Sequence, residues 1–285
     1  LIEKFDNTNL NYETINGEEL EKLYIEIVDK IITDKQIIGD MSRTQVWENG
    51  WKENLDSYNS NPQDFEALIP KFIRPGKPIR FFRNYIKPEN EMFELDYFSI
   101  YRQWLFENYF NDYENIYEFG CGTGFNLLEL SKIYPDKNFF GSDFVQSSVD
   151  LVNLIGKQNS INLQSEIFDL INPNFEYEIK PNSIICTFGA LEQIDSKFDK
   201  FLKFIFEKKP SLIIHTEPVL ELYDIGHFND FLAYSFQKKR GYTNKYLPHL
   251  KNLSENNQID LIKVKRLEFG STMMEGFNLI VWKLK

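Results

Sequence analysis

The stretch Ile116-Tyr117-Glu118-Phe119-Gly120-Cys121-Gly122-Thr123-Gly124-Phe125-Asn126-Leu127-Leu128 constrains this chain more than any other. Apolar residues lead into an acid, glycines follow at every second position, and a helically spaced apolar run (Phe125, Leu127, Leu128, Leu130, Ile133) begins at once. The pattern predicts a strand, a tight turn and a helix. It has the outline of a nucleotide-cofactor loop, and equally of a strand-to-helix turn that binds nothing.

The position of the third glycine narrows the ligand. A dinucleotide fingerprint, G-x-G-x-x-G, receives a pyrophosphate on helix N-terminal amides, and its last glycine lets the helix pack on the strand. Here the spacing is G-x-G-x-G, and Phe125 stands where that last glycine belongs. The loop suits a cofactor with an ammonium and a carboxylate in place of a pyrophosphate. The stretch resembles the first motif of the class I S-adenosylmethionine-dependent methyltransferases, acid-x-G-x-G-x-G. The resemblance covers residues 113 to 285 and implies S-adenosyl-L-methionine as cofactor, with Glu118, Gly120, Cys121, Gly122 and Gly124 around its methionine end. Asn138 to Asp143 reads as a second strand ending in an acid nineteen residues after Gly124, the distance at which such an acid meets ribose hydroxyls. Ile167-Phe168-Asp169-Leu170 reads as the end of a third strand, where family members place an acid near the adenine amino group. The resemblance therefore assigns Asp143 to the ribose and Phe168 and Asp169 to the adenine, and counts Phe144 among the cofactor-binding residues.

With 285 residues, 42% of them apolar, the chain can bury one large core and a smaller appendage. A net charge of −11 argues against broad nucleic-acid binding, which needs basic surface. Two cysteines, Cys121 and Cys186, offer no disulfide framework and point to a reducing compartment. No run of membrane-spanning length and no leader pattern stands out, so a cytoplasmic location is expected. The chain opens on Leu1, which leaves room for a lost leader.

Residues 113 to 285 alternate strand and helix, then close with two strands, 259 to 267 and 276 to 284. This predicts an α/β, Rossmann-like, doubly wound sheet. The resemblance implies seven strands in the order 3-2-1-4-5-7-6, with a lid insertion at about 218 to 257. Residues 1 to 112 are expected to form an N-terminal helical cap. Its first helix has an inner face of Leu20, Leu23, Tyr24, Ile27, Val28 and Ile31, laid on the core or on a second subunit in a homodimer. Within the cap, residues 71 to 87 hold six basic residues and no acid. Such a block either recognises an anionic substrate or is solvated and paired with acidic surface. The aromatic helix before the first core strand offers Tyr97, Tyr101 and Arg102 to the methionine carboxylate, by the family's habit of closing that helix over the cofactor.

The acceptor is expected to be a small molecule, a sugar or an anionic metabolite, methylated on oxygen. His215, Glu217 and His227, after the fifth strand, are the candidate bases, since a hydroxyl must lose its proton as the methyl arrives. Each also has a structural reading, His215 as a hydrogen-bonding residue across the sheet. No His-x-x-His or His-x-x-x-His spacing supports a metal. Asn172-Pro173-Asn174-Phe175 imitates an adenine-N6 methyltransferase motif but follows the third strand, where an Asn-Pro turn is the better reading. The rivals are an NAD-dependent enzyme and a noncatalytic member that binds cofactor or a partner.

Overall fold

The computed structural model describes residues 1–38, 44–62, 65–70 and 73–285. Before the core come α1 (Ile2–Asp6), β1 (Tyr12–Thr14), α2 (Gly17–Thr33), α3 (Thr44–Ser60), β2 (Ile79–Phe81), β3 (Asn84–Pro88) and α4 (Phe93–Tyr109). The core follows as β4 (Asn115–Phe119), α5 (Phe125–Ile133), β5 (Asn138–Asp143), α6 (Gln146–Asn159), β6 (Leu163–Ile167), β7 (Ser183–Phe188), α7 (Asp199–Lys208) and β8 (Leu212–Glu217). Helices α8 (Phe228–Arg240) and α9 (Tyr246–Glu255) then precede β9 (Ile259–Lys265), β10 (Phe269–Ser271) and β11 (Asn278–Leu284).

Seven strands form the main sheet in the order β6-β5-β4-β7-β8-β11-β9, which is the expected 3-2-1-4-5-7-6. The pairs from β6 across to β8 are parallel, and β11 runs antiparallel to both β8 and β9. Strands β4 and β8 are buried along their whole length, as continuous apolar runs covered on both faces require. One face packs Ile116, Phe139, Ile184, Ile214 and Val281 with the cap and α5, and the other packs Tyr117, Phe140, Ile185, Ile213 and Trp282 with α7 and α9. The chain leaves β4 towards β5 and β6, then returns to the other side of β4 as β7. That reversal opens a crevice beyond the carboxyl ends of β4 and β7, where ligands of doubly wound sheets bind.

The region before β4 is more than helical. A second sheet, ordered β1-β3-β2-β10 and antiparallel throughout, joins it to a strand from the far end of the chain. In α2, Leu23 and Ile27 are buried as expected, but Val28 lies with Ile25 and Ile32 on the exposed side. At 3.6 residues per turn Val28 falls past the edge of the inner stripe. Among the described residues no helix is long and apolar enough to cross a membrane.

A buried ion network ties the second sheet to α8 and to the β9–β11 connection. Arg266 grips Asp230 through two bonds of 2.7 Å, and Glu275 through two more of 2.8 and 2.6 Å. Arg80, 1% exposed, meets Asp230 at 3.0 Å and donates to the Tyr85 hydroxyl and the Asn229 carbonyl. A lone guanidinium would be costly in this interior; the paired carboxylates offset that desolvation. Replacing Asp230 by Ala leaves Arg80 and Arg266 short of a partner. It should lower unfolding free energy by roughly 3–5 kcal/mol, the usual cost of breaking a buried pair. Denaturant titration checks this, and a loss under about 1 kcal/mol would mean the network adds little to the fold.

Candidate functional site

The site is built where β4 ends. Gly120, Gly122 and Gly124 all have positive φ, at 71°, 52° and 72°, a conformation that side chains with a Cβ rarely adopt. At Gly120 a Cβ would also collide with Ala190, so this turn demands glycine twice over. The N–H groups of Gly120 and Cys121 both donate to the Ser142 carbonyl, at 2.7 and 3.0 Å. The Asp143 carboxylate accepts the N–H of Gly122 at 3.0 Å and that of Val145 at 3.4 Å. The second strand's acid thus holds the turn that follows the first strand. Burial pushes Asp143 up to about 6, against the backbone hydrogen bonds that favour its ionised form.

Glu118 lies beneath this turn, 1% exposed. Its Oε1 accepts the Asn126 amide at 2.7 Å, and Asn126 Oδ1 accepts the Arg102 guanidinium at 3.0 Å. Only this orientation lets Asn126 donate to an anion and accept from a cation. Glu118 Oε2 is buried and accepts nothing from any described residue. Burial pushes the group up to about 8. A buried carboxylate oxygen without a donor is costly to leave so, and it marks a place for one.

An open cleft of about 840 Å³, mouth included, spans the strand tips. Its floor is Gly120 and Asp143, and one end is formed by Phe144, Phe168, Asp169 and Leu170. Gly189, Ala190, Gln193 and Ile194, from the segment after β7, and Thr44, Trp47 and Trp51 of α3 complete the lining. Asp143 and Asp169 are the ionisable groups among these lining residues. Asp169 also accepts the Ile171 N–H at 2.8 Å and the Asn172 amide at 3.2 Å, so the Asn-Pro segment is a turn, as read from the sequence.

The structure places the other sequence candidates away from this cleft's lining. Cys121 is buried behind the turn, its thiol raised by burial. The Tyr101 hydroxyl is 3.1 Å from Thr216 Oγ1, and Tyr97 packs on Phe81, Phe93 and Phe269. The helix that lines the cleft is therefore α3 and not α4. Sequence reading missed it, although Trp47 and Trp51, four residues apart on one helix, are an available signal.

The candidate bases separate as well. His215 is fully buried, with Thr187 Oγ1 2.9 Å from Nδ1, and Tyr246 Oη and Trp282 Nε1 2.8 and 3.1 Å from Nε2. Burial lowers it to about 3, so it serves as a neutral link across the sheet, the structural one of the two roles expected of it. Glu217 accepts the N–H groups of Ala190, Leu191 and Glu192 at 3.1 to 3.2 Å, and so positions part of the cleft's lining. Burial raises it to about 7. Both residues border a smaller recess of about 300 Å³ beside α9. His227 caps α8, outside both cavities.

The basic block is likewise engaged elsewhere. Arg80 is in the ion network, Arg83 donates to Glu268 at 2.9 Å, Lys87 lies 3.7 Å from Glu19, and Lys71 and Phe72 fall outside the described residues. None of the described members lines the cleft, and Arg80 and Arg83 meet acids on α8 and the β9–β11 connection instead. The described part of the block lends the cleft no cation for an anionic acceptor.

No family model matches the chain. A tRNA (guanine-N(7)-)-methyltransferase of Christiangramia forsetii is 41% identical over 72 residues, which are 25% of this chain and 32% of that protein. The matched stretch thus spans about a third of that relative. Among solved structures, the [4+2]-cyclase SpnF superposes with a TM-score of 0.52 at 12% identity, over 84% of this chain and 95% of that one. A geranyl diphosphate C-methyltransferase of Streptomyces coelicolor gives 0.49 at 10% identity, over 82% and 98%.

The buried acids carry a pH signature. Glu118 and Glu217 start from 4.5 when unfolded and Asp143 from 3.8, and all three are raised in the fold. Between the unfolded and folded values the native state holds more protons, so stability falls as pH rises. The thermal midpoint of the ligand-free chain should therefore decline from about pH 5 to pH 8. Glu118→Gln should flatten the upper part of that slope. A midpoint that climbs over this interval would contradict the burial of these acids.

Proposed function

We propose that this chain, whose fold is that of the class I S-adenosylmethionine-dependent methyltransferases, binds S-adenosyl-L-methionine in the strand-tip cleft and transfers its methyl group to a small-molecule acceptor. The observation that carries the reading is the glycine turn with Asp143 at the strand-tip cleft, beneath which Glu118 keeps one buried oxygen without a donor, a group whose ionised form a cofactor ammonium would favour. The rest of the residue set fits. Asp143 can accept from ribose hydroxyls while keeping its bond to the Gly122 N–H, since a carboxylate has about four lone-pair sites. Phe144, Phe168 and Leu170 offer an apolar place for the adenine. When bound, the sulfonium supplies a methyl carbon already attached to a neutral leaving thioether.

The chain's own part is positioning and exclusion of water. Glu217 holds the Ala190–Glu192 backbone, and with it part of the cleft's lining, to which α3 adds the rest. His215 is held neutral in the sheet by burial, and the Glu217 carboxylate is occupied by three backbone N–H groups, so neither is presented to an acceptor in this arrangement. This favours an acceptor with its own available lone pair, an amine, thiolate or carbanion, over a neutral hydroxyl. The weak match to a tRNA methyltransferase does not carry a nucleic-acid substrate to this chain, given its charge of −11. A second reading is a different reaction in the same cleft. It is favoured by the fold being shared with SpnF, a [4+2]-cyclase, since one scaffold hosts many chemistries.

Calorimetry with S-adenosylhomocysteine should show one site per chain and no comparable heat with NAD. Asp143→Ala should weaken binding at least about tenfold, as loss of a charge-assisted hydrogen bond does. Absence of heat with the nucleoside ends the proposal. Binding without consumption of S-adenosylmethionine in the presence of amine, thiol and carbon acceptors favours the second reading.

A further inference from the structure

Phe125, which stands where a dinucleotide loop has its last glycine, supports a cation. The guanidinium of Arg102, on α4, lies over its ring at 4.2 Å and over that of Phe98 at 5.2 Å, and the residue is buried. Its Nη2 is 3.8 Å from the Glu129 carboxylate, while Nη1 donates to Asn126 Oδ1 at 3.0 Å. A guanidinium has donors only, so it fixes which end of the Asn126 amide it meets. The amide's other end, its NH2 group, is thereby turned to Glu118 Oε1, 2.7 Å away. The remaining titratable groups acting on Glu118 are Asp143 and the thiols of Cys121 and Cys186, and none of these is a cation.

We infer that Arg102 and Asn126 are positioning residues for the amino end of the ligand, an inference that rests on the proposed nucleoside site. Arg102, acting through Asn126, holds Glu118 with one oxygen left for an ammonium. The interposed amide is what makes this possible. An arginine paired directly with Glu118 can take both carboxylate oxygens in a fork and neutralise them. Through Asn126 it engages Oε1 alone, and Oε2 stays buried without a donor among the described residues. The positive charge behind the amide still favours the ionised carboxylate that an ammonium needs. The relay thus distinguishes a nucleoside with an amino tail from one without.

The test is calorimetric titration of the whole chain, unaltered and as Arg102→Met and Asn126→Ser, with three nucleoside thioethers. S-adenosylhomocysteine carries an ammonium and a carboxylate, S-adenosyl-3-thiopropylamine the ammonium alone, and 5′-methylthioadenosine neither. A variant that keeps its melting transition should bind the two amines at least about tenfold more weakly, the loss expected for a hydrogen bond to a charged group. Its affinity for methylthioadenosine should stay within about twofold of the unaltered chain, less than a hydrogen bond is worth. A loss confined to S-adenosylhomocysteine would mean that Arg102 serves the carboxylate, and overturns the inference. An equal loss with all three ligands, or no loss with any, overturns it too, and in each case the nucleoside site stands. No binding by the unaltered chain overturns the nucleoside site and the inference with it. A second measurement needs no variant. Burial raises Glu118 to about 8, so at pH 7 most of it holds a proton that an ammonium beside it must expel. Heats measured at that pH in two buffers of different ionisation enthalpy should show more proton release with the amines than with methylthioadenosine, Asp143 contributing alike to all three. Equal release with all three overturns the inference.

Discussion

Everything in the site hangs on how one chain reversal is held. After β4 the backbone turns through three glycines of positive φ, and the Ser142 carbonyl and Asp143 carboxylate of the neighbouring strand accept the N–H groups of Gly120, Cys121 and Gly122. The parallel pairing of β4 with β5 places that carboxylate opposite the turn. Sheet register and loop geometry are thus one constraint: a slip of one residue in β5 would turn Asp143 away and leave the Gly122 N–H buried without an acceptor.

The same economy explains why several polar groups near the site have settled roles. Glu217 is at a strand tip and inside the sheet's edge, where three backbone N–H groups from the 190–192 segment need an acceptor. His215, one strand-repeat earlier, faces the aromatic side of the sheet and joins Thr187, Tyr246 and Trp282. Each satisfies groups that burial would otherwise leave unpaired. Glu118 differs in keeping one oxygen without a donor among the described residues.

The core was legible in the sequence because its signals are local. Strand alternation, glycine spacing and the acids at 118, 143 and 169 depend on neighbours a few positions away, and the strands and the glycine turn form where the pattern implies. The cap was not legible, because its organisation is set by distant partners. Nothing near residues 79–81 says that β2 will pair with 269–271, and nothing in the basic block says that Arg80 will meet Asp230, 150 positions on. The candidate bases could not be ranked from sequence for a related reason: residue type and chain position suggest chemistry, but availability depends on what else is buried beside them. Trp47 and Trp51 stood in plain view, and only the packing of α3 on α6 shows which cavity they meet.

The pairing of β2 with β10 has a topological consequence. Strand β10 is reached between β9 and β11, so the last two strands of the main sheet are joined through the small one. The first hundred residues and the last thirty therefore form a belt whose two ends fasten around the central strands. Its closure requires segments almost two hundred positions apart to find each other, a search that loop-closure entropy makes slow. Pairing of β2 with β10 is therefore the most non-local contact the small sheet requires, and the one whose formation chain entropy opposes most.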